Sequence, residues 1–507
     1  MKLNRSGNAI RNVKYGMVNR IISIVLPFIV RTVFIRELGA EYLGLNSLFS
    51  SILTVLNMTE LGFSSAIVFC MYEPIANDDS DTIDALLLFY KRVYQVIGLI
   101  ILLVGLLLVP FLPKLINGTC PEGVNLVAVY LVYLCNTVLS YFMYAYLSAL
   151  ISAFQRDDLI SKVNILINIA MYTAQVLILI TVKNYYVYLA VMPTFTVVNN
   201  IRTAYIARRF FPQYKSKGKL NSIYKVRIKE KVSGLLINKV CVASRNAFDS
   251  IFISAFLGLT ETAIYNNYYY IMNSIVAISS VLISSVVAGA GNSVVMESQE
   301  KNYNDMNKMN FGYMWLFGWF TICLMCLYQP FMYLWVGETL MFPMHCVILI
   351  CLYFYILKMG DVRSIYDQAK GLWWENRYRA ILEASLNLAL NYILGKYFGV
   401  VGIIVATIIS LFAVNFCMGS NIIFKYYFTD FKVSEYFISH FKYAIVTLFN
   451  CAVTYAIINR IPYGYGTFIF VAILCCIIPN AIYFLVYRKT RYFVQVQNMV
   501  KNKIFRR

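Results

Sequence analysis

Charged and amide side chains recur at helical spacing within otherwise apolar stretches of this sequence. Arg20, Ser23, Pro27 and Arg31 fall within about 80° of one another at 100° per residue, which gives one helix a cationic face. Asn46, Ser50, Asn57, Glu60 and Ser64 follow at intervals of 4, 7, 3 and 4 and form a second stripe. Asn238, Arg245 and Asp249 line up further on, as do Asn266, Asn273, Ser280 and Ser284, with Tyr268 beside them. Lys358, Asp361 and Arg363 make a further charged group. These residue types suit binding: guanidinium groups offer forked, charge-assisted hydrogen bonds to phosphate-like anions, and amides and hydroxyls match polar neutral groups. An Arg at the middle of a membrane helix costs about 2.5–3.5 kcal/mol, so such residues normally face a bundle interior or a wet cavity. In the plainer reading, Arg31 snorkels to the interface and Arg245 and Asp249, four apart, satisfy each other.

The elements that must carry these residues are membrane helices. Of the 507 residues 60% are hydrophobic and only 13% charged, well outside the range of soluble domains. Apolar runs of about twenty residues recur about fourteen times, too long for barrel strands, so the fold is all-α and polytopic. The expected spans are 15–35, 43–70, 93–112, 124–150, 160–181, 186–207, 232–256, 262–290, 309–329, 343–362, 379–396, 399–422, 441–459 and 464–487. The first keeps Arg20 and Arg31 inside and lacks a small-residue cleavage site, which predicts a retained helix. Loops alternate in charge. Arg36, Lys114, Lys183, Lys396 and Arg460 are isolated, whereas Arg202 to Lys239 and Arg488 to Arg507 are dense in Lys and Arg, which places both ends in the cytoplasm.

The same charges exclude other classes. The net charge of +20 flanks the spans, with no nucleic-acid-reading module, and matches attraction to anionic lipid. Most of the twelve cysteines lie in spans as small apolar residues, and the Cys323/Cys326 pair has no second pair or nearby His, so no metal site is expected. With two histidines, no nucleotide or nucleophile motif and short external loops, an enzyme is not expected.

Thr32-Val-Phe-Ile35 ahead of Leu38-Gly39 echoes Ser250-Ile-Phe-Ile253 ahead of Leu257-Gly258, which suggests a duplication of six-helix halves. The predicted organisation is an N-lobe at 1–210, a basic cytoplasmic linker at 211–231, a C-lobe at 232–424, and two further spans with a basic tail at 425–507.

From about Val13 to Lys425 the sequence resembles the Wzx-type lipid-linked oligosaccharide flippases (O-antigen and capsule transporters). These form the polysaccharide-transporter branch of the multidrug/oligosaccharidyl-lipid/polysaccharide (MOP) exporter superfamily. The resemblance is carried by the order and spacing of Tyr42-Leu-Gly-Leu-Asn46, Glu60-Leu-Gly62, Tyr72-Glu-Pro74, Phe89-Tyr-Lys-Arg-Val-Tyr94 and Asp249-Ser-Ile-Phe-Ile-Ser254. Further along it rests on Ile264-Tyr-Asn-Asn-Tyr268, Gly291-Asn292, Leu334-Trp-Val-Gly337, Lys370-Gly-Leu-Trp373 and Gly399-Val-Val-Gly402.

The resemblance implies the MATE-type (multidrug and toxin extrusion) fold, two six-helix lobes about a cleft that opens alternately to each side, with two extra C-terminal helices. Its implied cargo is an oligosaccharide repeat unit on undecaprenyl pyrophosphate, moved to the outer leaflet of the bacterial plasma membrane. On that basis Arg20, Arg31 and Arg245 are assigned to the pyrophosphate or acidic sugars, and Asn57, Asn266, Tyr268 and Asn273 to glycan hydroxyls. Glu60 and Asp249 pair with the arginines or take up a coupling proton or sodium ion. Lys358, Asp361 and Arg363 form a cytoplasmic gate, an interfacial position being their other reading. No cofactor is expected. The expected partners are the lipid-linked substrate, membrane lipids and glycan polymerase and export machinery, and the expected state is a monomer. Two other classes stay open: a multidrug antiporter of the same fold, and a membrane polysaccharide polymerase or ligase, which should carry a large external loop that is missing here.

Overall fold

The computed structural model describes residues 5–504 apart from 61–62, 119, 122 and 373. The side chains of residues 5–10, 59, 65, 227, 229–236, 238, 246, 282, 284–285, 288–289, 292, 295 and 499–504 also lie outside the described residues. The described residues contain helices and no strand. In chain order the helices are α1 (Arg5–Glu37), α2 (Ala40–Leu56), α3 (Phe63–Ala76), α4 (Ser80–Leu108), α5 (Leu126–Phe142), α6 (Tyr146–Ala153), α7 (Asp157–Thr181), α8 (Tyr185–Phe210) and α9 (Ser222–Leu257). They continue as α10 (Leu259–Met296), α11 (Gln299–Val336), α12 (Met344–Met359), α13 (Asp361–Lys370), α14 (Arg377–Ser410), α15 (Gly419–Tyr426), α16 (Val433–Ile458), α17 (Tyr465–Tyr487) and α18 (Arg491–Ile504). A π-helical segment, Leu411–Met418, joins α14 to α15.

The chain divides into two compact units, Met1–Ala263 and Ile264–Arg507. In the first, α1 packs along α7, α7 along α8, α5 between α4 and α8, and α2 on α9. In the second, α11 packs on α12, α16 and α17, and α12 on α14. Large apolar side chains face outward in helical register, as with Ile21, Val25 and Ile29 on α1 or Leu99, Leu103 and Leu107 on α4. Such continuous exposed apolar faces belong in lipid.

Among the described residues nine helices are long and apolar enough to span a membrane, or ten if the bent pair α5 and α6 counts as one. The difference from fourteen has local causes. The expected span 43–70 is broken, because α2 ends at Leu56 and a 3₁₀ turn, Asn57–Glu60, precedes α3. The stretches 379–396 and 399–422 run on as one helical path, Arg377–Tyr426, bent where Gly399 takes φ 60° and ψ −138°. The expected linker 211–231 is helical from Ser222 onward, because Asn221 caps α9 by accepting from the Ile223 amide at 3.1 Å.

Local chemistry fixes the other ends. Asp79 caps α4 at the Thr82 amide (3.0 Å), and the hydrogen bonds from Thr82 hold its carboxyl below the ordinary range. The α7 N-terminus is capped from another helix: Asn12 Oδ1 accepts from the Asp158 amide at 2.8 Å, while Asn12 Nδ2 donates to the Gln155 carbonyl at 3.1 Å.

The glycines of the repeated motif adopt one conformation, φ 99°, ψ 173° at Gly39 and φ 98°, ψ −177° at Gly258, a region open essentially to glycine alone. A Cβ at Gly39 would meet nothing within 4 Å, whereas one at Gly258 would stand 2.7 Å from the Asn117 carbonyl oxygen. Asn117 holds the end of α9, its amide donating to the Ser254 carbonyl at 2.9 Å. Gly39→Ala should therefore destabilise by the backbone term alone, about 1–3 kcal/mol, and Gly258→Ala by more. Thermal unfolding of the two purified variants checks the order, and equal losses would refute the steric part.

Candidate functional site

Unit one gathers its polar groups around the break after α2. The 3₁₀ turn carries Asn57 and Glu60 to the side of α4 and α5. The hydroxyl of Tyr94 donates to one Glu60 oxygen, and that of Tyr141 lies 2.7 Å from the other. Tyr141 Oη is also 3.1 Å from Asn57 Oδ1. Rings of Tyr90 and Tyr94 stand edge to face at 4.4 Å, and those of Tyr94 and Tyr141 are tilted at 46° with centroids 5.3 Å apart. Close approach of α4 and α5 makes this possible: a Cβ on Gly98 would stand 2.8 Å from Tyr141 Cβ.

A phenol has one proton, so Tyr141 cannot donate to Asn57 and Glu60 at once. The geometry therefore serves two protonation states. Ionised Glu60 accepts from Tyr94 and Tyr141. Protonated Glu60 donates to the Tyr141 oxygen, and Tyr141 then donates to Asn57.

Among the described residues Glu60 binds tyrosines and no arginine, which corrects the expectation that it pairs with the cationic face. The reason is position, since the unwound turn aims it at α4 and α5. Arg20 is exposed on α1. Arg31 is half-buried and close enough to Tyr188 of α8 for its charge to act on the phenol. Below it, Phe34 packs on Tyr188 at 5.0 Å, and Tyr185 donates to Asn46 of α2 at 2.5 Å. Arg245 and Asp249 are buried one turn apart on α9, at 5% and 1% exposure, with Ser250 beside them. The side chain of Asn238 lies outside the described residues.

In unit two Asn266 is half-buried and Asn273 exposed on α10. The side chain of Ser284 lies outside the described residues. Tyr268 departs from its expected role. It is fully buried, its hydroxyl donating to Gln329 Oε1 at 2.8 Å and accepting from the Phe342 amide at 3.1 Å, so a sugar hydroxyl would find it already engaged. Of the gate residues, Lys358 and Arg363 are buried against protein, at 3% and 2% exposure, and Asp361 is partly exposed. Lys358 Nζ lies 2.9 Å from Asp361 Oδ2, and Arg363 pairs with Asp367 at 3.1 Å.

Sequence reasoning missed what surrounds Arg363. Its guanidinium reaches the Asn415 carbonyl at 3.3 Å, Asn415 Nδ2 donates to Glu383 at 2.8 Å, and Glu383 pairs with Arg379 at 3.0 Å. Asn415 sits in the π-helical segment, a form that recurs at functional positions. Tyr141 was missed as well. Tyr94 closes one of the resemblance motifs, but its spacing gave no hint that it would meet Glu60.

The fold resembles that of solved transporters. No family model and no curated protein matches the sequence. Among solved structures, the lipid II flippase MurJ in an inward closed conformation is similar at TM-score 0.68 and 13% identity, over 94% of this chain and 99% of that one. An inward-facing multidrug resistance transporter of the MATE family and MOP superfamily is similar at TM-score 0.62 and 13% identity, over 79% and 97%. A MOP superfamily transporter from Pyrococcus furiosus follows at TM-score 0.56 and 12% identity, over 82% and 96%. The chain thus has the fold of MOP superfamily transporters.

The shared hydroxyl gives a direct test. Tyr141→Phe and Glu60→Gln should each destabilise by about 1–3 kcal/mol, the range for hydrogen bonds to a charged group. The double variant should cost less than their sum. Additive losses in thermal unfolding would show that the two groups do not interact.

Proposed function

We propose that this protein is a flippase that carries an undecaprenyl-pyrophosphate-linked oligosaccharide from the cytoplasmic to the outer leaflet of a bacterial plasma membrane by alternating access. The observation that carries the reading is the buried charge on α9, Arg245 with Asp249, in a chain whose fold matches a lipid II flippase over 94% of its length. A helix that keeps an arginine inside a membrane protein is suited to a partner with dense negative charge, and a pyrophosphate offers that. Arg31 on α1 and Arg20 nearer the cytoplasmic end supply further cations, and Asn266 and Asn273 suit glycan hydroxyls. In this reading each six-helix half forms one lobe, and the protein transports without catalysing a reaction.

Glu60 is the better candidate for coupling. Its two hydrogen-bond patterns let it take up or release a proton while it stays bonded to Tyr141 in both states, the Tyr141 proton moving between Asn57 and Glu60.

One observation favours a second reading. An acid ringed by Tyr90, Tyr94 and Tyr141 is the kind of site an organic cation prefers, and the MATE-family likeness points the same way. A drug antiporter would raise resistance to cationic drugs on overexpression, and a flippase would not.

The deciding experiment is mass spectrometry of lipid-linked saccharides from the native host with and without the gene, combined with a leaflet assay. Complete repeat units should accumulate on the cytoplasmic face without it. Arg31→Ala should abolish export at normal protein level, and Arg31→Lys should restore it only in part. An unchanged, correctly placed lipid pool would overturn the proposal.

A further inference from the structure

We infer that the ammonium of Lys358 is a resident cation, seated on Ser279 and Asp361 beside Tyr313 in a site that would otherwise take a small monovalent metal ion. Lys358 ends α12 with its side chain 3% exposed. Its Nζ donates to Ser279 Oγ of α10 at 2.8 Å and lies 2.9 Å from Asp361 Oδ2. Tyr313 of α11 donates to the same Asp361 oxygen, and the Phe317 ring centroid lies 5.6 Å from Nζ. One carboxylate, one hydroxyl and an aromatic face thus surround a single positive charge. Hard oxygen donors of this kind also suit an alkali cation, and the ring face favours any cation.

A cavity of about 620 Å³ adjoins the site at Tyr313, which lines it together with Gly312, Ile283, Val286, Val362 and Ile365. The charged side chains on that cavity, Asp305 and Lys308, are paired with each other at 2.8 Å and leave no net charge to compete. Water that reaches Tyr313 could complete the shell of an ion bound at Asp361. The tether sets the consequence: an ammonium on a four-carbon stem satisfies the carboxylate permanently, so Asp361 exchanges no ion with the medium. Any ion that couples to transport then acts elsewhere. This inference does not rest on the flippase reading and holds for any cargo.

An ordinary buried ion pair makes a different prediction from an occupied cation site. Removing one partner of a pair strands the other charge, and nothing in solution replaces it. Removing the tethered cation from a cation site lets an external ion in.

The test uses the purified full-length chain, with unfolding midpoints measured in sodium chloride and in choline chloride at equal ionic strength. The wild type should unfold at the same temperature in both. Lys358→Ala should be less stable in choline and recover by about 2 °C or more as sodium saturates. The Lys358→Ala/Asp361→Asn double variant should not respond. Lys358→Asn, short enough to leave room for an ion, carries the same expectation if the alanine variant cannot be isolated in choline. Equal midpoints for Lys358→Ala in the two salts would overturn the inference. So would a wild type that gains as much from sodium, or failure of both single variants to fold in sodium.

Discussion

A polar group inside a bilayer has no water to fall back on, and this constraint decides where the chain can leave a straight helical path. Each departure described here brings its own polar partners. The 3₁₀ turn at Asn57–Glu60 is met by the hydroxyls of Tyr94 and Tyr141. The π-helical segment places Asn415 between Arg363 and Glu383, so its backbone carbonyl accepts from the guanidinium and its side-chain amide donates to the carboxylate. Pro479 in α17 frees the Cys475 carbonyl, which accepts from Trp319 Nε1 at 2.8 Å, whereas α7, which spans without a break or a proline, needs no such provision and is almost wholly apolar along its outer face.

Acids are satisfied in two ways, and pairing with nearby bases occurs in both units, as with Asp158, Arg156 and Lys162 in unit one. In unit two acids and bases pair one to one over three or four residues: Lys358 with Asp361, Arg363 with Asp367, Arg379 with Glu383. Pairing within a turn lets each helix neutralise itself before it packs, which limits the desolvation cost of burying ions. Unit one keeps its acid at the break apart from its arginines and satisfies it with neutral phenols. Charge held by neutral donors can change its protonation without breaking an ion pair. That contrast is the physical reason for proposing Glu60, and not Asp361, as a coupling group.

Much of this was legible in the sequence because the bilayer imposes a length and a polarity on every span. The apolar runs gave the all-helical class, and the intrahelical spacing placed Arg245 and Asp249 on one face of one helix. What spacing could not give was partnership. A stripe drawn through Asn57 and Glu60 assumes a helix that continues, and the chain breaks there. Tyr268 has the right register but faces Gln329 and Phe342, a matter of tertiary packing that no periodicity encodes. Arg379 and Glu383 stand four apart, a pattern readable as an ordinary helical ion pair. Only the fold reveals that Asn415, thirty-two positions further on, joins them.

The π-helical segment also has a consequence for how this chain tolerates change in length. An α-helix advances 100° per residue, and a π-type turn holds one residue more than an α-turn needs. The wider turn absorbs that residue, so side chains after Leu411–Met418 keep about the phase of a regular helix one residue shorter. Deleting one residue there would let the backbone relax into regular α-helix, a gain in local hydrogen bonding. Because the residue lost is the surplus one, Gly419, Ser420, Ile423 and Phe424 would keep roughly their present phase, whereas an insertion or a second deletion would turn them by about 100° and bring a side chain to the place of Gly419, where a Cβ would clash with the Arg363 guanidinium. A segment that looks like an irregularity thus behaves as a phase buffer between α14 and α15, able to give up one residue but not to take another.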